Sequence, residues 1–335
     1  MENEVVMKSR VRLARNLNDY PFPNKLDDNT ALEIIDKVQE AFLESNIYVK
    51  DEFDFYKIKD MSELEKISMI EEHIISLDLA NNPKGAVLVK KDKKLSIMIN
   101  EEDHIRIQAI YDGLNLEKAY ELADKIDDLL EERLEFAFDE NLGYLTSCPT
   151  NTGTGMRASV MIHLPALTQL GYMNDVYKIS SQIGLAIRGI YGERSEAIGN
   201  IYQISNQLTL GRAEVNTIDS INRMAKEIIS KEIQAREILR KKLGIRLEDD
   251  IFRSLGILEN ARIIDTLEAM KYLSNIKIGI EMGYISHLTL ADINKLITDI
   301  QPAHQSIIYK SKCCDDRDIN RAMHIRNILK NNHNE

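Results

Sequence analysis

The sequence is poor in cysteine and has no long hydrophobic run. Three cysteines occur among 335 residues, and two of them, Cys313 and Cys314, are adjacent. Such a set gives no disulfide framework and is typical of a protein of the reducing cytoplasm. No apolar run approaches the length of a membrane span, and the opening MENEVVMKSR has no signal-peptide core. We therefore expect neither membrane insertion nor export.

Basic residues are fewer than acidic residues. The chain has 43 Lys and Arg against 54 Asp and Glu, which gives a formal net charge of -11. Because a nucleic-acid backbone requires a basic surface, we expect no direct nucleic-acid partner. The seven histidines are dispersed with no HxxxH or CxxC spacing, so no metal site built by the protein itself is expected.

The rest of the composition is that of a globular protein, with 44% hydrophobic residues, 29% charged residues and six prolines. A chain of this length can bury a substantial core and suits two domains. From about Glu214 onward, long segments of helical period with few glycines predict a smaller helical C-terminal domain. We place the domain boundary between residues 1–225 and 226–335.

The most informative stretch, residues 145–161, reads LTSCPTNTGTGMRASVM. Gly153 and Gly155 could turn successive N–H groups to one side and form an anion-binding nest, to which Arg157 would add charge. Cys148 has hydroxyl-bearing neighbours that would suit a stabilised thiolate. The stretch matches neither GxxxxGKS/T nor GxGxxG, so an ordinary tight turn beside a buried cysteine is the alternative.

The first strand carries closely spaced arginines. Residues 5–13 are apolar and β-branched enough for a strand, in which Arg10 and Arg12 would share a face. Two parallel guanidinium groups would repel each other, so an anion such as a triphosphate is an attractive partner. A solvated edge strand is the alternative.

A dense group of ionisable residues follows a predicted hairpin of strands 85–89 and 95–100. This segment, NEEDHIRIQ, places Glu102 at a strand end and Arg106 between two isoleucines. The alternating spacing turns Arg106 inward, where it needs an anionic partner. An acidic turn between strands is the alternative reading. The helix predicted over residues 61–76 ends near His73, which fits a capping role as well as a functional one.

A glycine-rich charged stretch follows a helix predicted over residues 175–188. It holds Glu193 and Glu196 and precedes a predicted strand at Tyr202 to Ser205. A glycine-hinged loop of this kind suits a lid that excludes water during phosphoryl transfer. An ordinary flexible surface loop is the alternative. Farther on, Arg317, Asp318 and Arg321 share a helix and by themselves indicate a solvated charged face.

Together, four segments resemble the signature of the phosphagen (guanidino) kinase family: SRVRLARN, NEEDHIR, CPTNTGTGMRASV and the loop that ends in Glu196. RDINRA at residues 317–322, within the helical C-terminal part, is similar to a motif of the protein-arginine kinase branch. The resemblance implies an α/β (α+β) fold, with an antiparallel sheet flanked by helices and then a smaller helical domain.

The resemblance also implies site residues. Glu102 would align and deprotonate the target guanidinium, Glu196 would be the second carboxylate with Glu193 as its competitor, and Cys148 would position the guanidinium. Contacts with ATP are implied for Ser9, Arg10, Val11, Arg12, His73, Arg106, Arg157, Ala158, Ser159, Val160, Met161, Arg188, Gly189, Ile190, Tyr191, Gly192 and Glu193. Phosphoarginine recognition is implied for Arg317, Asp318, Arg321 and Ala322.

One position departs from the family pattern. Tyr191 stands where small-guanidine arginine kinases carry a lid arginine, so Arg188 or Arg194 would have to supply that phosphate contact.

The resulting expectation is a cytoplasmic kinase that transfers the γ-phosphate of ATP to arginine side chains of proteins, with Mg²⁺ held mainly by the nucleotide. The resemblance further implies an activator protein and a protease–chaperone complex as partners, a homodimer or higher oligomer, and a role in regulated proteolysis or stress response. The alternatives are a kinase for free arginine and a catalytically inactive phosphoarginine-binding adaptor.

Overall fold

The computed structural model describes residues 5–44, 51–189, 197–311 and 313–331. Its amino-terminal half contains β1 (Val6–Arg15), α1 (Asp28–Glu44), β2 (Phe53–Lys57), α2 (Glu63–Glu71), α3 (Leu77–Ala80), β3 (Ala86–Lys90), β4 (Leu95–Ile99), β5 (Ile105–Asp112) and α4 (Leu116–Glu131). Next come β6 (Phe138–Asp139), β7 (Gly143–Tyr144), β8 (Met156–His163), α5 (Pro165–Gln169), α6 (Met173–Gln182), β9 (Leu185–Gly189) and β10 (Ile201–Asn206). The carboxyl-terminal part contains α7 (Glu214–Leu243), α8 (Ile245–Asn260), α9 (Thr266–Glu281), α10 (Leu290–Asp299), α11 (Pro302–Tyr309) and α12 (Cys314–Asn331).

A single large sheet organises the amino-terminal part. Over the described ranges it has eight strands in the order β2-β3-β4-β5-β1-β8-β10-β9, and each neighbouring pair is antiparallel. The predicted antiparallel α+β architecture is confirmed. Because β1 pairs with both β5 and β8, the alternative of a solvated edge strand is wrong.

The two faces of the sheet have different chemistry, because successive residues of a strand point to opposite sides. On one face, Val11 and Leu13 of β1 join Ala158 and Val160 of β8 in the main hydrophobic core. The helices α1, α4 and α7 pack against this side. Burial of the alternate residues in this core fixes the register, and it leaves the intervening polar residues on the other face.

On that second face, a smaller apolar cluster covers one end of the sheet. It includes Ile74, Leu79, Val87, Val89 and Met98, so it lies under α2 and α3. The centre of this face, along β5, β1 and β8, is where the charged side chains project.

The helix predicted over residues 175–188 is wrong beyond Gln182. Gly184 adopts a φ of 78°, a conformation that ends a helix and suits glycine. The chain then forms β9, which pairs with β10 along its whole length. The ladder hydrogen bonds offered by β10 outweigh the local helical pattern, and Arg188 consequently lies on a strand.

The carboxyl-terminal part is helical, as predicted. Helix α7 is 30 residues long; it packs on β8 and β10 and also contacts α8. The predicted boundary at residues 225 and 226 falls inside this continuous helix. None of the described helices is long and apolar enough to cross a lipid bilayer.

Candidate active site

Arginines from neighbouring strands project from the centre of the second face. In the register of the ladders, Arg12 of β1 stands opposite Arg157 of β8, and Arg106 of β5 stands opposite Ala14. Residues two apart on a strand share a face, so Arg10 projects to the same side as Arg12. We call Arg10, Arg12, Arg106, Arg157 and Arg188 the arginine face.

Arg188 joins the arginine face from the outermost strand, β9. It stands opposite Gln203 of β10, which in turn stands opposite Met161 of β8. The Oε1 atom of Gln203 accepts a hydrogen bond of 2.9 Å from Nη2 of Arg10. Gln203 therefore positions Arg10, and an uncharged side chain lies between the strands of the two cations.

Burial and mutual repulsion disfavour the charged forms of these guanidinium groups. Burial, with further effects of Arg106 and Arg157, lowers the pKa of Arg10 to about 10. Burial is also the main cause that lowers the pKa of Arg12, followed by the neighbouring arginines. The Nε atoms of Arg10 and Arg12 are buried and have no hydrogen-bond partner among the described residues. A bound polyanion would relieve the repulsion and supply acceptors, as expected of a triphosphate site.

Two carboxylates hold Arg106. Its Nη1 donates to Oε1 of Glu101 at 2.5 Å, and its Nη2 donates to Oε2 of Glu102 at 2.8 Å. The Glu101 side chain is fully buried, whereas that of Glu102 is 39% exposed. Arg106 thus has the anionic partners that its inward position requires, and Glu102 is the carboxylate that can also reach a ligand.

The turn that carries Glu102 also positions the loop that precedes β8 and carries Cys148, here called the cysteine loop. Buried Asp103 accepts hydrogen bonds from Nδ2 of Asn16 and from the backbone N–H of Ser147, each at 2.7 Å. Burial raises the pKa of the Glu102 carboxyl, Arg106 opposes this effect, and Asp103 adds to it. A carboxylate with a raised pKa is a stronger proton acceptor.

Cys148 lies half-buried in the loop before β8. Its Sγ atom is 3.0 Å from Oγ1 of Thr150, and its carbonyl accepts a hydrogen bond of 2.9 Å from the backbone N–H of Asn151. The side-chain amide of Asn151 donates to Oε2 of Glu102 at 3.4 Å. A single short turn therefore connects the thiol with the carboxylate.

The glycines of this loop serve close backbone packing. Gly153 and Gly155 have φ values of 119° and 63°. A Cβ on Gly153 would lie 2.6 Å from the carbonyl oxygen of Thr209, and one on Gly155 would lie 2.5 Å from that of Ala14. The N–H of Gly153 donates to the carbonyl of Tyr144. The predicted anion nest is therefore wrong for Gly153, whose N–H group already has a partner.

Two cavities meet at Glu102. One, of about 190 Å³, is walled by Glu102 together with Arg12, Arg106 and Arg157. The other, of about 490 Å³, is lined by Glu102 and by residues such as Leu26, Lys84 and Ser147. Glu102 thus stands between a strongly cationic cavity and an open one that a second substrate could enter.

His73 lies toward the other end of the arginine face. It follows α2 with a φ of 64°, and its N–H donates to the carbonyl of Ile70, so it ends the helix. Its own carbonyl accepts a hydrogen bond of 2.8 Å from Nε2 of Gln108. Burial, together with Arg10 and Lys8, lowers the pKa of His73 to about 3. The imidazole is therefore neutral near neutral pH.

The remaining predicted nucleotide contacts divide between the faces of the sheet. Ser159 and Met161 stand opposite Arg10 and Lys8 on the arginine face. The side chains of Ser9, Val11, Ala158 and Val160 are buried on the opposite side. Any contact of those four residues with a nucleotide would have to use backbone atoms, so their role stays a prediction.

The predicted lid lies outside the described residues. Ile190, Tyr191, Gly192, Glu193, Arg194 and Glu196 fall there. Gly189 is the last described residue before it, at the end of β9.

Arg321 of the RDINRA segment is a buried anchor. Only 1% of it is exposed. Its Nε donates to the carbonyl of Ile300 at 2.7 Å, and its Nη1 donates to the carbonyl of Ile264 at 2.9 Å and to the carboxylate of Asp318. The reading of this segment as a solvated charged face is wrong for Arg321.

The other members of the segment differ in exposure. Ala322 is buried, and Arg317 is half-buried with its Nη2 3.0 Å from Sγ of Cys314. Arg317 is therefore the member whose guanidinium is more accessible to a phosphoarginine, and the predicted role of the segment stays a prediction.

Some positioning residues were not identified from the sequence. Asn16 and Asp103 lie inside two of the recognised motifs. Gln203 lies in β10 between Tyr202 and Ile204, and Asn151 lies in the cysteine loop. In each case the partner is distant in sequence, so the local pattern does not show the contact.

The described ranges contain no group of three His, Cys, Asp or Glu side chains arranged to hold a metal ion.

Comparisons with known proteins give the family and the fold. Residues 33–235 match the family described as ATP:guanido phosphotransferase, C-terminal catalytic domain, and residues 244–335 match the protein-arginine kinase McsB C-terminal domain. A solved structure of the duplicated taurocyamine kinase from Schistosoma mansoni, with transition-state analogue components, aligns with a TM-score of 0.61 at 29% identity; the alignment covers 69% of this chain and 33% of that one. Lombricine kinase aligns with a TM-score of 0.61 at 24% identity, over 71% of this chain and 68% of its own, which supports the fold alone.

The fold and the matched family define the chain as an ATP:guanido phosphotransferase. Relatives that align over nearly the full chain identify the branch of this family. The protein-arginine kinase of Caldanaerobacter subterraneus subsp. tengcongensis is 46% identical over 98% of both chains. That of Clostridium kluyveri is 48% identical over 97% of this chain and 94% of its own. The chain belongs to the family of protein-arginine kinases.

Proposed function

We propose that the protein transfers the γ-phosphate of ATP to arginine side chains of proteins and so forms phosphoarginine. The observation that carries the proposal is the convergence of arginines from β1, β5 and β8 on the cavity that Glu102 closes. A triphosphate is negatively charged and so complements the cationic arginine face. A guanidinium is positively charged, and the Glu102 carboxylate can orient it.

The proposed reaction is an in-line displacement. The nitrogen of the acceptor guanidinium attacks the γ-phosphorus, an N–P bond forms, and the P–O bond to ADP breaks. Glu102 accepts the proton that the nitrogen loses, and Cys148 holds the guanidinium from the adjoining loop. The arginine face neutralises the charge that develops on the transferred phosphoryl group and on the leaving ADP. Mg²⁺ would enter with the nucleotide and neutralise part of its phosphate charge.

A protein acceptor suits the open cavity on the outer side of Glu102. Its volume of about 490 Å³ is ample for one arginine side chain, and its lining includes Glu101 and Glu102, whose carboxylates complement a guanidinium. Glu193 and Glu196 are proposed as further guanidinium carboxylates. Arg317, Asp318, Arg321 and Ala322 are proposed to recognise phosphoarginine.

The family resemblance supports a proposal for the cellular context. We propose a cytoplasmic, oligomeric enzyme that acts with an activator protein and a protease–chaperone complex in regulated proteolysis or stress response. The three cysteines are free, and a reducing compartment would preserve the Cys148 thiol.

The test uses the purified full chain, ATP and an unfolded protein acceptor, with phosphoarginine detected by mass spectrometry of digests kept near neutral pH. Glu102→Gln should lower the rate at least 100-fold, roughly the effect of removing a positioned base, and should change the ATP dissociation constant less than about threefold. Glu140→Gln, at an exposed position, is the matched control.

Three outcomes would redirect the assignment. Full activity in Glu102→Gln would exclude Glu102 as the base. Strong turnover of free arginine with none of protein would favour a small-guanidine kinase. Phosphoarginine binding without any ATP-dependent transfer would favour an adaptor.

A further inference from the structure

The open cavity on the outer side of Glu102 carries charges of both signs. Its volume is about 490 Å³, and its lining includes Lys84 as well as Glu101 and Glu102. Lys84 is the one lysine or arginine among the described residues that line it. An acceptor whose guanidinium lies at Glu102 therefore meets a positive charge in the same cavity.

The backbone of Lys84 is fixed to the turn that carries Glu102. Its N–H donates to Oδ1 of Asn82 at 3.1 Å, and its carbonyl accepts a hydrogen bond of 3.3 Å from Nδ2 of Asn100. The Nδ2 atom of Asn82 in turn donates to the carbonyl of Asn100 at 2.6 Å. Asn100 and Glu102 are two residues apart, so their Cα atoms are at most ~7.6 Å apart. Lys84 is therefore held at a fixed place beside Glu102.

The ammonium group of Lys84 can bind a further acceptor. It donates to the carbonyl of Leu26 at 3.0 Å and lies 2.8 Å from Oδ1 of Asp28. A lysine ammonium has three N–H groups, so these two partners among the described residues leave one N–H for a ligand. The Asp28 side chain is 82% exposed. Because an ion pair this open to solvent is weak, a carboxylate of the acceptor can also take the place of Asp28.

A carboxylate beside the target arginine complements this arrangement. While the guanidinium binds Glu102, a carboxylate next to it in the acceptor would bind Lys84. A basic residue at the same place would be repelled by Lys84. The carboxylate could belong to a neighbouring Asp or Glu side chain, or it could be the α-carboxylate of a carboxyl-terminal arginine.

We propose that Lys84 binds a carboxylate beside the target arginine of the acceptor, and that the enzyme consequently prefers arginines in an acidic sequence context. The proposal rests on the proposed function, since it takes the acceptor guanidinium to lie at Glu102. It assigns Lys84 a role in the choice of acceptor and none in the transfer of the phosphoryl group.

The experiment measures kcat/KM for acceptor peptides of equal length with ATP and the full chain. Three peptides have a single internal arginine flanked on both sides by Asp, Asn or Lys. A fourth, uncharged at its other positions, ends in its arginine and is used with a free or an amidated carboxyl terminus. Lys84→Met removes the charge and Lys84→Glu reverses it. Lys118→Met, at an exposed lysine of α4, is the control.

The wild-type protein should use the Asp peptide about twofold to fivefold more efficiently than the Asn peptide, as for one partly exposed ion pair. The Lys peptide should be the poorest acceptor. Lys84→Met should remove the preference, chiefly by raising KM for the Asp peptide, and Lys84→Glu should favour the Lys peptide. Lys118→Met should behave as the wild type does.

Equal kcat/KM for the Asp, Asn and Lys peptides would overturn the proposal, and so would an Asp preference that persists in Lys84→Met. An equal loss for all peptides in Lys84→Met would also count against it, because that pattern indicates a general structural role. A preference confined to the free carboxyl terminus would exclude the acidic sequence context. Failure of the proposed function shows differently, since the wild-type protein would then phosphorylate none of the peptides.

Discussion

Replacement of His304 by Gln tests how the helical part is attached to the amino-terminal part beside α2. His304 is in α11, and its Nδ1 and Nε2 atoms lie 2.8 Å from Glu71 and 2.9 Å from Glu72. A neutral imidazole has one N–H, whereas an imidazolium has two and can donate to both carboxylates. Glu71 also accepts hydrogen bonds from the backbone N–H groups of Ala303 and His304.

The magnitude follows from the pKa. Hydrogen bonds to Glu71 and then Glu72 raise the pKa of His304 from 6.5 to about 9. At 1.36 kcal/mol per pH unit, this corresponds to about 3 kcal/mol. Solvent on the open side of the ring screens part of the interaction, so we expect ~2 kcal/mol. Because the folded-state pKa is the higher one, this stabilisation is fully present below pH 6.5 and is lost as pH rises through about 9.

The assay is urea denaturation of wild-type protein and His304→Gln at several pH values from 6 to 9.5. The difference in the free energy of unfolding should be largest near pH 6 and should shrink above pH 9. A Glu71→Gln background serves as the control, because loss of the main partner should remove much of the pH-dependent part. A difference that does not vary with pH would refute the reasoning.

Two further predictions concern the loop before β8. Cys148→Ala should raise KM for the arginine acceptor while leaving the ATP dissociation constant unchanged, with Cys313→Ala as control; steady-state kinetics and calorimetry measure the two, and a loss confined to ATP affinity would contradict the assignment. Gly155→Ala should destabilise the fold by ~2 kcal/mol or more in thermal unfolding, because it adds a steric clash to the cost of the left-handed backbone. Gly211→Ala shares a positive φ of 72° but would meet nothing within 4 Å, so it should cost only ~1 kcal/mol; equal losses in both variants would show that the clash is unimportant.

The sheet and the arginine face were accessible from the sequence because they depend on local alternation. Arg10 and Arg12 share a face through the period of a strand, and Arg106 between two isoleucines implied an inward charge with a partner. The sequence did not reveal that the partners are Glu101 and Glu102 together. That arrangement depends on the tight turn between β4 and β5.

Features that depend on contacts between residues distant in sequence could not be predicted from the sequence. Residues 185–189 have a helical local pattern, and they form a strand only because β10 offers hydrogen bonds. Gly153 is needed where the backbone of Thr209 passes. Asn294 lines one cavity with Lys8, which is almost 290 residues earlier in the chain. In all these cases tertiary contacts override or add to local preference.

Helix α7 runs without a break from the sheet into the helical carboxyl-terminal part, so it fixes the orientation of the one relative to the other. Its 30 residues form a rod of about 45 Å with no flexible joint. Insertion of one residue near its middle would turn everything that follows by ~100° about the helix axis. Such a change would carry α10 away from the cavity that it shares with Lys8 and Met161 without altering any residue of the arginine face. The length of this helix is thus as much a condition for the shared cavity as the side chains that line it.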